Sequence, residues 1–186
     1  MKSITLFSLF CFLSFLGNGQ NICLNAEESK LYDLIMAYRK EKKLEVIPLS
    51  PKLTLVAQIH AKDLAEHFDM QNTEGCNPHS WSDQGDWTPC CYTPDHAQAT
   101  CMWNKPNEIA GYKSNGYEIA YFSSDGATAQ EGLDGWKKSS GHNPLLVNSG
   151  IWKEIEWKAI GIGFYQNFGV VWFGELEDSA PLETCN

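Results

Sequence analysis

The sequence predicts an α+β protein, a three-layer α-β-α sandwich with a central antiparallel sheet. Helical periodicity fills the first part of the chain, and two apolar runs, "KAIGIGFY" and "FGVVWFGEL", stand near the end around Gln166-Asn167 as a hairpin. No regular strand–helix–strand alternation joins the two regions, which excludes a parallel βαβ sheet. Both runs are too uniformly apolar for a sheet with one wet face, so helices are expected on both sides.

Residues 1–19 read as a signal peptide: Lys2 supplies the positive start, Ile4 to Leu16 is almost unbroken apolar, and Gly17-Asn18-Gly19 offers small residues before a cut. The run is shorter than the roughly 20 residues of a spanning helix, so a secreted chain, extracellular or periplasmic, is expected rather than a membrane-spanning one. Residues 20–186 then form one domain with a cysteine-rich loop at 71–107.

In that domain, Asn25 followed by "AEESKLYDLIMAYRKEKKL" offers a capping side chain, early glutamates and Leu31, Leu34, Ile35 and Tyr38 on one face of a first helix. "SPKLTLVAQIHAKDLAEHF" starts a second helix with Ser50 as N-cap and Pro51 at the first position. From Gln71 to Pro106 the pattern breaks into turns, and "YEIAYFS" fits either a strand or one helical turn. "DGATAQEGLDGWKKSSG" spaces Ala129, Leu133 and Trp136 as a third helix, weakened by Gly132 and Gly135.

The net charge of −9 is scattered along the chain, which makes nucleic acid and anionic membranes poor partners. Without Cys11 of the leader, Cys23, Cys76, Cys90, Cys91, Cys101 and Cys185 remain, an even set that implies disulfides in an exported chain. Neighbours such as Cys90 and Cys91 rarely bridge; local pairing among Cys76, Cys90, Cys91 and Cys101 would staple the loop and leave Cys23 and Cys185 to join the ends. A zinc site of Cys76, Cys90, Cys91 and His96 is the competing use, though its spacing matches no regular C-x-x-C pattern.

Several side chains are candidates for chemistry. His60, Asp63 and His67 share a face of the second helix, either as a chelating set or as its polar side with an Asp63–His67 pair. Ser139 or Ser140 could act as a nucleophile with His142 as base and Glu118 as orienting acid, but no G-x-S-x-G elbow is present. His142, in "SGHNPLL", fits a metal ligand or a residue that ties off the helix before it.

Taken in order, two helices, a cysteine-stapled loop carrying "PHSW", the segment "GYEIAYF", a tryptophan helix running into "SSGH" and the closing "IGIGFY…VVWFGE" hairpin resemble the CAP superfamily. That superfamily includes cysteine-rich secretory proteins, antigen-five allergens and pathogenesis-related proteins. The resemblance covers roughly residues 25–177 and implies an SCP-like α-β-α sandwich with an open cleft lined by two histidines and two acids. His79 and His142 match the two histidines, and Glu118 stands at the glutamate of the G-E-N-[IL]-A motif, with Tyr117 and Ile119 as departures. The position of the second glutamate is Ser139, and W-x-x-S-x-G-H is similar to the bacterial branch. Glu131, earlier on that helix, has no spacing that makes it a substitute.

The resemblance therefore implies cleft residues His79, Glu118, Ser139 and His142, with His79 and His142 as ligands of a divalent metal such as zinc. A binding protein is expected, its partner a lipid, sterol or peptide held against some of the seven tryptophans, especially those at 81–103. An extracellular hydrolase using the same cleft is the alternative.

Overall fold

The computed structural model describes residues 22–185; the expected leader at 1–19 lies outside the described residues. The chain runs β1 (Cys23–Leu24), α1 (Ala26–Glu41), α2 (Pro51–His67), α3 (Ala99–Trp103), α4 (Lys105–Ala110), β2 (Gly116–Phe122), α5 (Ala129–Lys138), α6 (Asn143–Leu146), a 3-10 turn (Gly150–Trp152), β3 (Ala159–Tyr165), β4 (Phe168–Gly174) and β5 (Glu183–Thr184). Strands β2, β4 and β3, in that spatial order, make an antiparallel sheet, with α2 on one face and α1 and α5 on the other. This is the expected three-layer sandwich, and "YEIAYFS" resolves as strand β2. Among the described residues no helix is long and apolar enough to cross a membrane.

The hairpin is apolar on both faces because both are covered. Ile160, Ile162, Val171 and Phe173 pack toward α1 and α5, while Phe168, Val170 and Trp172 pack toward α2. On the α2 side, β3 presents Gly161 and Gly163, and the helix backbone lies directly on them. A Cβ on Gly161 would sit 2.0 Å from the Leu53 carbonyl carbon, and one on Gly163 would sit 2.2 Å from that of Ala57. The alternation "IGIG" is thus one face of isoleucine core and one face with no side chain, which brings α2 into backbone contact with the sheet.

Capping follows the sequence. Asn25 and Glu28 form a reciprocal capping box at α1, and the Ser50 hydroxyl accepts from the Leu53 N–H at α2. The buried Glu28 carboxylate also accepts from the Gln58 side chain at 2.9 Å and the Phe164 N–H at 3.0 Å, joining α1, α2 and β3. Its burial pushes the carboxyl above the usual range.

Cys23–Cys185 joins the two ends beside the short parallel pair β1–β5, and Cys76–Cys91 staples the loop, as local pairing implied. Cys90 and Cys101 remain as thiols that face each other, so the expectation of six paired cysteines holds for four of them. The disulfide removes Cys76 and Cys91 from any zinc site, which overturns the cysteine–zinc reading. The segment from 71 to 107 is less irregular than expected: it contains α3, opens α4, and closes a bridge between Trp81 and Cys90.

Candidate functional site

The site begins on β2, where the pleat turns Glu118 toward the α2 face while Ile119 turns into the opposite core. Glu118 is buried, and both of its oxygens are engaged. Oε2 lies 2.5 Å from His60 Nδ1, and Oε1 lies 2.7 Å from His79 Nδ1. Burial opposes its ionisation, but the adjacent His60 and His79 outweigh that cost and hold the carboxyl below the usual glutamate range.

His79 reaches Glu118 because of a tight turn. The Asn77 side chain accepts from the His79 N–H at 3.0 Å, the Asn77 carbonyl accepts from the Ser80 N–H, and the Asn77 N–H donates to Tyr92 O. The Tyr92 ring meets the imidazole edge-on at 5.4 Å, and its hydroxyl lies 2.7 Å from Nδ1 of His96. His142 arrives from the other side, at the start of α6. Its backbone N–H donates to Ser139 Oγ at 3.2 Å, and its imidazole makes no helix-capping bond. The helix-end reading of His142 is therefore not what the side chain does. Burial pushes its pKa below the usual imidazole value, with His79 adding to the effect, so it presents a neutral ring.

His79, Glu118 and His142 line one open cleft of about 580 Å3. Trp103, Tyr117 and Trp152 form an aromatic shelf in it; Tyr117 packs against Trp103 at 5.9 Å and against Trp152 at 4.9 Å. Met102, Leu145 and Ile151 extend the apolar lining, and Ile151 is 85% exposed. Among the described residues no group of three His, Cys, Asp or Glu side chains is placed to hold one metal ion. The imidazoles of His79, His96 and His142 are the nitrogen donors in the lining.

One expected cleft residue falls outside the lining. Ser139 is not part of the cleft lining, since its hydroxyl serves the turn before His142, and among the described residues no serine, threonine or cysteine side chain lines the cleft. Glu131 sits in the first turn of α5 bonded to Thr128, so it does not replace the missing acid. The set of His60, Asp63 and His67 is not a solvated face. His60 is fully buried, Asp63 accepts from the Ser82 N–H and hydroxyl, and the more open His67 lies 3.9 Å from Glu66. Of the tryptophans near the loop, Trp81 is core and Trp103 lines the cleft, joined by Trp152 from the 3-10 turn. His60, Tyr92 and His96 belong to the site without having been assigned to the cleft from sequence. His60 had a signal: positions 53, 57, 60 and 64 step by four, three and four residues, which puts it on the buried stripe of α2.

An α-β-α sandwich with two histidines and a buried glutamate lining one cleft defines a class of fold, the one seen in SCP domains. Solved structures bear out the fold. An extracellular protein containing an SCP domain from Bacillus anthracis aligns with a TM-score of 0.56 at 18% identity, over 81% of this chain and 40% of that one. An outer surface protein from Borrelia burgdorferi aligns at 0.53 and 18% identity, over 80% of this chain and 92% of that one. A cysteine-rich secretory protein from Staphylococcus aureus aligns at 0.50 and 15% identity, over 81% of this chain and 38% of that one. The chain thus spans less than half the length of the Bacillus and Staphylococcus proteins, and shares with all three the fold. No protein-family sequence model matches the chain, and neither does any curated protein sequence.

Proposed function

We propose that the protein is an extracellular binding protein whose cleft holds a small amphipathic ligand, a lipid, sterol or peptide, with a divalent cation such as zinc between His79 and His142. The observation that carries this reading is the cleft itself: its volume of about 580 Å3 falls within the usual range for ligand sites, with an aromatic shelf facing imidazoles. Disulfides Cys23–Cys185 and Cys76–Cys91 support an oxidising compartment, as do the extracellular and surface proteins that share the fold. Neutral imidazoles are good zinc ligands, and an open coordination position leaves room for a ligand's polar head.

The serine-nucleophile form of the hydrolase alternative finds no support, because among the described residues neither Ser139 nor Ser140 lines the cleft. Zinc titration by calorimetry, followed by mass spectrometry of lipids and peptides retained by the purified protein, tests the reading. Zinc binding is expected in the parent and lost in His79→Ala and His142→Ala, with ligand retention reduced in Trp103→Ala and Trp152→Ala. Unchanged zinc binding in both histidine variants would refute the metal site, and unchanged retention in both tryptophan variants would refute the shelf.

A further inference from the structure

His60 is the group the proposed function leaves unused. It is fully buried in α2, its ring stacked on Trp81 at 4.0 Å with the planes 6° apart, and neither nitrogen reaches the cleft. Nε2 lies 2.8 Å from the Ser80 carbonyl oxygen. A carbonyl oxygen only accepts, so Nε2 carries a hydrogen and donates it. Nδ1 then faces Oε2 of Glu118, and a nitrogen lone pair against a carboxylate lone pair would repel, so a proton occupies that contact.

This placement fixes the next bond. With that proton in the contact at Oε2, Oε1 of Glu118 is left as an acceptor, and His79 Nδ1 must donate to it. The tautomer of a neutral imidazole is set by the bond one nitrogen makes, so the Nε2 of His79 is left with its lone pair. His79 lines the cleft with its side chain 18% exposed, and the bonded nitrogen faces buried Glu118, so Nε2 is the nitrogen available to a ligand.

We infer that His60 is a positioning residue: through Glu118 it holds His79 as the Nδ1–H tautomer and so presents the Nε2 lone pair to whatever the cleft binds. The ligand class this selects is an electron-pair acceptor, a divalent cation or the acidic N–H or O–H of an organic ligand. The inference rests on the reading of His79 as a binding group of the cleft, but its physical content, the tautomer, is measurable without any ligand. His60 acts at one remove, as outer partners of metal-binding histidines do, where their loss weakens metal affinity by about 10- to 100-fold.

The test is proton–nitrogen correlation spectroscopy of the full chain labelled with nitrogen-15 histidine, at about pH 8, above the ordinary imidazole value of about 6.5. His79 in the parent is expected to show a protonated, pyrrole-type Nδ1 and a pyridine-type Nε2. In His60→Phe, which removes the proton from the Glu118 contact, His79 is expected to lose that fixed pattern and zinc affinity to fall by about 10- to 100-fold. His60→Gln, whose amide can donate to Glu118, is expected to restore the pattern. If His60→Phe does not fold, His60→Asn, too short to span Ser80 and Glu118, takes its place. A parent with the opposite His79 tautomer, or a His79 pattern indifferent to the residue at 60, overturns the inference. A parent that shows the pattern and its dependence on His60 but binds no zinc upholds the positioning role and removes the metal reading instead.

Discussion

The two faces of the central sheet are built on different terms. Toward α1 and α5, the core of Leu31, Ile35, Ile119, Leu133, Trp136, Ile160, Ile162, Val171 and Phe173 is apolar, and the buried charges of α1 are Arg39, bonded to the Leu146 carbonyl and Asn148, and Glu28, bonded to Gln58 and the Phe164 N–H. Toward α2, Val170 and Trp172 share the interior with His60, Asp63, Ser80, Lys105 and Glu118. Buried polar atoms without a partner, Thr54 Oγ1 and the indole nitrogens of Trp81 and Trp172, lie on this side too. One face is close to a pure hydrophobic core and the other holds a polar network, which is costly unless each member is satisfied. The comparison teaches that the first face stabilises the fold while the second positions chemistry.

The largest effects should be common to both faces. Trp172→Ala and Phe173→Ala each delete a fully buried ring and should cost about 3 to 5 kcal/mol in urea unfolding. A much smaller loss for Trp172→Ala would mean that the α2 face is not packed as a core.

A covalent difference comes next. Burial, followed by the neighbouring Cys101, pushes the Cys90 thiol up to about 12, so half-buried Cys101 should be alkylated first. Treatment with oxidised glutathione should convert the two thiols to a disulfide, releasing two reduced glutathiones, and should stabilise the α2 side by about 2 to 4 kcal/mol. Among the described residues, two thiols before oxidation and none after is the expected count. A bridge that forms without raising stability would show this segment to be strained by closure.

Smaller still is the contrast between the two cleft histidines. His79→Ala leaves a buried oxygen of Glu118 without its donor and should cost about 1 to 3 kcal/mol. His142→Ala breaks no side-chain hydrogen bond and should leave the urea midpoint near that of the parent. Equal losses would place the two residues in the same structural role.

The smallest expected effect is on pH dependence. The folded pKa of His142 lies below its ordinary 6.5, so in the window between the two values the unfolded chain binds more protons than the folded one. Its contribution to stability is present above 6.5 and is lost as pH falls through the folded value. Glu118, held below 4.5, loses its contribution in the same direction but at lower pH. His142→Gln should therefore flatten the first decline and leave the second; a parent whose stability is level below 6.5 would contradict the burial of this ring.

Much of this was legible in the sequence. Caps at Asn25 and Ser50, the period of the first two helices and the apolar hairpin follow from local chemistry, and they dictate the sandwich. His79, Glu118 and His142 stood out by motif, and the structure brings them to one cleft. What escaped depends on tertiary partners. His60 reads as polar by type although its spacing is that of a core position, and only Trp81 and Glu118, far away in sequence, make its burial tolerable. Ser139 occupies the position of an acid by alignment, yet its hydroxyl is consumed by the turn it ends. Tyr92 and His96 belong to a loop without periodicity, where sequence carries no signal of direction.

The bare strip of Gly161 and Gly163 gives two residues outside the cleft lining a share in its function. Any larger side chain there must lift α2 from the sheet, and His60 travels with the helix away from Glu118. An alanine at either position is therefore expected to injure ligand binding even where the chain still folds.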